Sequence, residues 1–416
     1  MFDATRLDAG RWGATGAKVL GLAAAVLVTA SGCAGHGKYT SEQITAAKEK
    51  MAIMKSATEW EMARQAYLTG DFHKAIKGVD RSIAISPKVA KSHVLRGRIL
   101  TETNDFEGAL ASFNEAIAIE PKNVEATYHL GFIHERMLER EKALELYLAA
   151  SELEPQSAQY VIAAAEVMID LGRIDEARAF VEGRHTAFTS TAGIKQTLGH
   201  IAMMQGRTDD AVAHFNQARL LAPDDLTLTE DLTRAQVSAR RYGEAESNLA
   251  RLLATDKHKD RSDLVLLRAR CLIEIDRPLE ARELLIKLTQ SASGSSDVES
   301  WILLGNLSYT LKDANRTRLS AQRIIGLAPD RPEGYLLRGL QQRRVGQHDA
   351  AAESFRQASR HDRSGNALVL LGLTYRDQGQ LARANAAFQE ALTQDPQNKE
   401  AANLVGSVIA TVPTDG

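Results

Sequence analysis

Beyond residue 55 the apolar positions of this chain recur at helical spacing, in pairs of short stretches. Between Val124 and Pro155 the first stretch sets Leu130, Gly131 and His134 at i, i+1 and i+4, and the second sets Ala143, Tyr147 and Ala150 at i, i+4 and i+7. Each set is one face of a helix. The pair then returns: Ala75, Ala109, Ala143, Ala177, Ala211 and Ala245 stand 34 residues apart, and Pro87, Pro121, Pro155 and Pro223 follow the same period. A fixed period of this size marks one supersecondary unit copied in tandem, each copy too small to bury its own apolar face and therefore stacked on its neighbours.

Small residues place the two helices of each unit. Gly97, Gly131, Gly199, Gly305, Gly339 and Gly372, with Ala63, Ala165 and Ala269 as substitutes, have no bulk and let the partner helix approach, and the periodic alanine does the same from the second helix. Gly70, Gly172, Gly206, Gly346 and Gly379 fall between the helices, where a left-handed residue ends the first one. Pro87, Pro121, Pro155, Pro223, Pro329 and Pro396 close the unit, because proline cannot continue a helix.

A bulky residue, Leu-Gly, an aromatic, Gly, Ala, another aromatic, Ala and Pro in one register: this order resembles the tetratricopeptide repeat. Ten copies start near Ser56, Ala90, Val124, Ala158, Ala192, Leu226, Ser262, Val298, Pro332 and Gly365. Copies two, three, five and ten carry the pattern most fully; four, six and seven lack the closing proline, and copy eight has Thr317 at the alanine. The resemblance implies an all-α fold, a right-handed α-solenoid of about ten helix-turn-helix repeats, with a C-terminal capping helix over 399–416. On its cap Ala402, Val405, Val408 and Ile409 share a face. Repeats one to six fill 56–261 and repeats seven to ten fill 262–398. The spacing stretches to 36 at Thr255–Ser262 and at Ser291–Asp297, small polar segments read as the least ordered; the second is either a joint between copies one to seven and copies eight to ten or a longer surface loop.

The N-terminus follows other rules. Arg6, Arg11 and Lys18 precede an apolar run from Val19 to Ala30, too short to span a bilayer. Residues 1–32 therefore read as a signal peptide, and Ala30, Ser31, Gly32 and Cys33 resemble the lipobox of bacterial lipoproteins, in which the cysteine is lipidated. The other reading of these residues is an ordinary secretory signal with an incidental cysteine. Ala34 behind the cysteine implies, by that family's sorting rule, the outer membrane rather than the inner one, facing the periplasm. Residues 33–55 are then a short tether and an N-terminal helix, for which Thr40 and Gln43 offer a capping box and on which Ile44, Met51 and Met54 share a side.

If positions seven, eight and eleven of each first helix face inward, positions five, nine and twelve form an adjacent stripe, which in tetratricopeptide domains lines the ligand groove. In copies one to three it contains Trp60, Arg64, Tyr67, Val94, Arg98, Thr101, Tyr128, Phe132 and Glu135, with Arg136 beside it, an aromatic and arginine mixture typical of binding hot spots. Trp60 and Phe132 equally suit packing between helices. In copies four and five it becomes Ile162, Glu166, Ile169, Gln196, His200 and Met203, read as a softer apolar floor in which Met203 could adapt to varied partners. Arg64 and Arg98 suit an acidic segment.

Charge and chemistry narrow the function further. With 51 basic and 53 acidic residues the chain has no basic excess for nucleic acid. If Cys33 carries lipid, Cys271 has no intramolecular partner, and its place in the first helix of copy seven reads as core filler. No zinc-protease, CxxC, phosphate-loop or GxSxG motif occurs, so neither catalysis, a cofactor, a metal nor a small-molecule substrate is expected. The chain looks like the tetratricopeptide lipoproteins that assist pilus or secretin assembly, polysaccharide export or envelope protease recruitment. The expected function is a lipid-anchored scaffold for protein partners that assists an envelope complex such as a pilus/secretin system. The alternative is an accessory subunit of an exopolysaccharide export or glycosyltransferase machine.

Overall fold

A computed structural model describes residues 38–184 and 187–409. Residues 1–37, with the expected leader and Cys33, and the residues after 409 lie outside them. The described residues form 21 helices and no strand. They belong to two compact units, one ending at Val89 and one beginning at Ala90.

The first unit is a hairpin of α1 (Lys38–Leu68) and α2 (Phe72–Ile85). Helix α1 runs for 31 residues without a break. Thr40 therefore lies inside it and does not open it in a capping box. Its C-terminal half is seated on α2, where the Ser56 and Ser82 hydroxyls each donate to the other's carbonyl at 3.0 and 2.9 Å.

The second unit repeats the hairpin nine times. First helices are α3 (Ala90–Glu102), α5 (Val124–Arg136), α7 (Ala158–Asp170), α9 (Ala192–Met204), α11 (Leu226–Ser238), α13 (Ser262–Glu274), α15 (Val298–Thr310), α17 (Pro332–Arg344) and α19 (Asn366–Asp377). Second helices are α4 (Phe106–Ile119), α6 (Arg140–Leu153), α8 (Ile174–Arg184), α10 (Thr208–Leu221), α12 (Tyr242–Leu253), α14 (Pro278–Gln290), α16 (Ala314–Leu327), α18 (His348–Ser359) and α20 (Leu381–Gln394). The first helices begin within one residue of the positions marked by the period. All six periodic alanines are fully buried. Each closing proline stands one residue past a C-cap whose N–H still bonds back into the helix, as Glu120 N–H does to the Ala116 carbonyl at 2.9 Å before Pro121.

Position ten of the first helix is a further core position that the pattern left out: Ile99, Ile133, Val167, Ile201, Ala235 and Cys271 are all buried there. Cys271 is core filler, as expected, and burial pushes its thiol up to about 11. The two stretched segments are held by buried groups. His258 Nε2 meets Glu230 Oε1 at 2.8 Å and its Nδ1 meets the Thr255 hydroxyl at 3.0 Å, while Trp301 Nε1 donates to the Ser295 carbonyl at 2.9 Å.

Helix α21 (Lys399–Ile409) covers the last repeat. Its buried face is Ala401 with Leu404 and Val405, against Phe388 and Ala384, and Ala402 is exposed. Of the expected face Val405 keeps its place and Ala402 does not; the side chains of Val408 and Ile409 lie outside the described ones. Asn398 sets the register: its side-chain oxygen accepts from Ala401 N–H and its amide donates to the Ser364 carbonyl, both at 2.9 Å.

Candidate functional site

The residues of the expected stripe fall in both units. In the first, Trp60, Arg64 and Tyr67 line up along α1, each half-buried. Arg64 grips Glu61 with two nitrogens at 2.8 and 3.1 Å and lies 5.8 Å from the Trp60 ring; Tyr67 leans on Phe72 at 6.0 Å.

In the second unit Arg98 reaches from α3 to Glu125 on α5 at 2.9 Å. Val94 is buried in the core and leaves the stripe. Tyr128 is the centre of a ring cluster, with His129, Tyr147 and Tyr160 at 5.2 to 5.4 Å. Tyr128 and Phe132 both pack against the core cluster of copies three to five and keep one side outside it. Arg136 is exposed in the last turn of α5. Met203 packs on the cluster around Phe215 and Leu232, whereas its neighbour Met204 is exposed.

The apolar members expected in copies four and five, Ile162, Ile169 and Met203, are half-buried. Ile162 and Ile169 also turn into the core cluster, because an apolar side chain at these positions gains more by reaching a neighbouring helix than by facing water. Polar groups share the stripe with them. Tyr147 donates to Glu135 at 2.7 Å; Gln196 donates to Asp231 at 2.8 Å, with His200 Nε2 at 3.5 Å from the same oxygen. Burial and the charge of Glu135 push the Glu166 carboxyl up, an effect His200 opposes. Burial also pushes Asp231 up, but the hydrogen bonds from His200 and Gln196 outweigh it and hold the group low. Burial raises Tyr128 as well.

From α5 to α11 the stripe is thus an aromatic patch bordered by carboxylates and one imidazole. Such a surface recognises cations and donors through ring faces and charge-assisted hydrogen bonds. The sequence showed Glu135, Glu166 and His200 as stripe members, but their shared electrostatics needed the packing of α5, α7, α9 and α11. Asp231 lay one position outside the expected stripe. Among the described residues no group of three or more His, Cys, Asp or Glu side chains is placed to hold a metal ion, and no helix is long and apolar enough to cross a membrane. A separate open cleft of about 510 Å³ lies along α10 and α12, lined by Asp209, Asn216, Arg219, Arg241 and Arg251.

Three family models match the chain: "TPR repeat" over residues 97–137, and "Tetratricopeptide repeat" over 158–182 and over 336–408. Similar solved structures include a tetratricopeptide repeat protein from Parabacteroides merdae, 16% identical, covering 62% of this chain and 99% of its own, with a TM-score of 0.44. PilW, a type IV pilus biogenesis factor, is 18% identical over 48% of this chain and 93% of its own, at 0.43. The Cut9–Hcn1 structure of the APC/C is 13% identical over 89% and 95%, at 0.40. No curated protein sequence matches. Repeated helix pairs and matching family models together establish that this chain carries tetratricopeptide repeats.

Proposed function

We propose that this chain is a non-catalytic protein-interaction scaffold, lipid-anchored at Cys33 and facing the periplasm from the outer membrane, where it assists assembly of an envelope complex such as a pilus or secretin system. The repeat fold suits such a scaffold, since stacked helices present one long surface and need no separate site. The observation that carries the reading is the stripe on α5, α7, α9 and α11, where Glu166 and His200 stay accessible beside half-buried Tyr128, Ile162 and Ile169. A partner segment with basic and aromatic side chains fits that stretch, and Arg64 and Arg98 suit acidic positions of a partner.

Photocrosslinking in intact envelopes tests the binding face. A crosslinker at Glu166 should capture a discrete partner, and one at exposed Leu220 on α10 should not. Equal capture at both positions sinks the stripe as the site. Replacing Arg98 or Glu166 by Ala should weaken the captured complex by roughly 1 to 3 kcal/mol per truncated anchor. For the anchor, Cys33→Ala should abolish lipid labelling; wild-type protein that carries no lipid and washes off membranes with salt contradicts it.

A further inference from the structure

The first eighteen residues of α1, Lys38 to Lys55, precede its seat on α2, which begins at Ser56. This N-terminal half carries one narrow apolar seam among charged positions. Ile44, Ala47, Met51 and Met54 fall at i, i+3, i+7 and i+10, within about 80° of the helix circumference. All four are exposed, Ile44 at 40%, Met51 at 71% and Met54 at 63%. Lys48 and Lys55 border this face on one edge and Lys50 on the other, whereas Glu42 and Glu49 stand opposite. Ile53 is the one large apolar side chain of this stretch that lies off the face.

We infer that the N-terminal half of α1 lies in the surface of an anionic bilayer, its Ile44–Met54 seam among the acyl chains and its lysines at the headgroups. Three observations select this occupant. A seam of exposed methionine and isoleucine gains by leaving water. A second copy of the helix would bring Lys48, Lys50 and Lys55 against their own counterparts, which like charge opposes. An anionic surface turns the same three lysines favourable, since their stems lie along the apolar edge while the ammonium groups reach phosphate. The inference rests on the anchored reading above for a bilayer being near, because Cys33 is five residues before Lys38, at most about 18 Å of chain. It does not use the lipid itself.

The test uses the chain from residue 34 to 416, which contains every described helix and lacks Cys33. It should co-sediment with phosphatidylcholine vesicles that contain phosphatidylglycerol, far less with phosphatidylcholine alone, and be released by salt. The variant Lys48→Gln/Lys50→Gln/Lys55→Gln should bind the anionic vesicles on the order of a hundredfold more weakly. The variant Met51→Gln/Met54→Gln should lose binding with helix content unchanged, as both side chains are exposed. Equal binding to neutral vesicles, no binding to anionic ones, or a dimer in sedimentation velocity that the methionine variant dissociates would each overturn the inference. Lipid labelling of full-length protein at Cys33 is scored separately, so either reading can fail alone.

Discussion

Five repeats in residues 90–409 seat an aromatic ring of the second helix on a glycine of the first; four do not. A Cβ added at Gly97, Gly131, Gly199 or Gly339 would lie 2.6 to 2.8 Å from Phe113, Tyr147, Phe215 or Phe355, and Gly372 makes the same contact with Phe388. The corresponding positions in copies four, six and seven hold Ala165 with Val181, Thr233 with Leu249, and Ala269 with Leu285. In copy eight, Gly305 makes room for Leu337 of the next repeat. In copies six and seven buried polar groups bridge the helices instead. Asn248 donates to Gln236 at 2.8 Å and Arg268 to Glu246 at 2.8 and 2.9 Å, with Gln236, Asn248 and Glu246 all buried. A ring on glycine fixes helix separation by shape alone, whereas a polar network does so only when every member is satisfied.

The largest effect should come from removing a ring. Phe113→Ala should cost about 3 to 5 kcal/mol, because Gly97 offers no side chain to fill the cavity. Leu285→Ala, opposite Ala269, should fall toward the low end of about 2 to 5 kcal/mol. Denaturant unfolding and hydrogen exchange would compare them; equal costs would show that the ring adds nothing special.

Acid should reach the ring-bearing repeats through His129, which stacks on Phe113 with centroids 5.4 Å apart. Burial, then the nearby charge of Arg98, lowers its pKa from 6.5 to about 4. Between those values the unfolded chain binds a proton that the folded chain refuses, so the contribution is complete above 6.5 and is lost as pH falls toward 4. At pH ~4.5 the loss should be about 2 to 3 kcal/mol, since each tenfold fall in proton affinity is worth ~1.4 kcal/mol. Titrating carboxylates contribute too, so the quantity to measure is the difference between wild type and His129→Gln across this window. Parallel curves would place the imidazole in water.

Exchanging the small residues sharpens the contrast. Gly97→Ala should overpack Phe113 and cost about 1 to 3 kcal/mol despite the better helix former. Ala269→Gly should cost only about 0.5 to 1 kcal/mol, the helix-interior penalty of glycine. A neutral Gly97→Ala in thermal unfolding would mean that α3 and α4 can separate without loss.

Much of this was legible because the period itself carries the fold: from Ala90 onward, proline and alanine spacing marks within one residue where the first helices begin. The stripe was less legible. Whether Tyr128 or Ile162 faces a partner or a neighbouring helix depends on which side chains reach across a 34-residue gap, and sequence spacing does not measure reach. The register of α21 turned on one amide, Asn398, whose partner Ser364 lies a whole repeat away. The turns were half legible, since glycine announces a left-handed residue and other side chains do not.

That last point gives the smallest prediction. The turn between first and second helix has a positive φ at Gly70, Gly172, Gly206, Gly346 and Gly379, and also at Asn104, Leu138, Arg240, Asp276 and Lys312. Leu138 is the costliest of these, with φ of 63° and no polar group to bond locally. Its side chain is 71% exposed, so replacing it removes little burial. Leu138→Gly relieves about 1 to 2 kcal/mol of backbone strain and loses about 0.4 to 1 kcal/mol to the freer unfolded chain, leaving a net gain between zero and about 1.6 kcal/mol. Gly172→Leu, at a turn where a Cβ would touch nothing within 4 Å, should show the opposite sign at similar size. Chemical denaturation of both variants checks the pair. A destabilised Leu138→Gly would show that the leucine itself holds the turn of copy three, and the contrast between ring-bearing and ring-free repeats would then extend from the helix contacts to their connections.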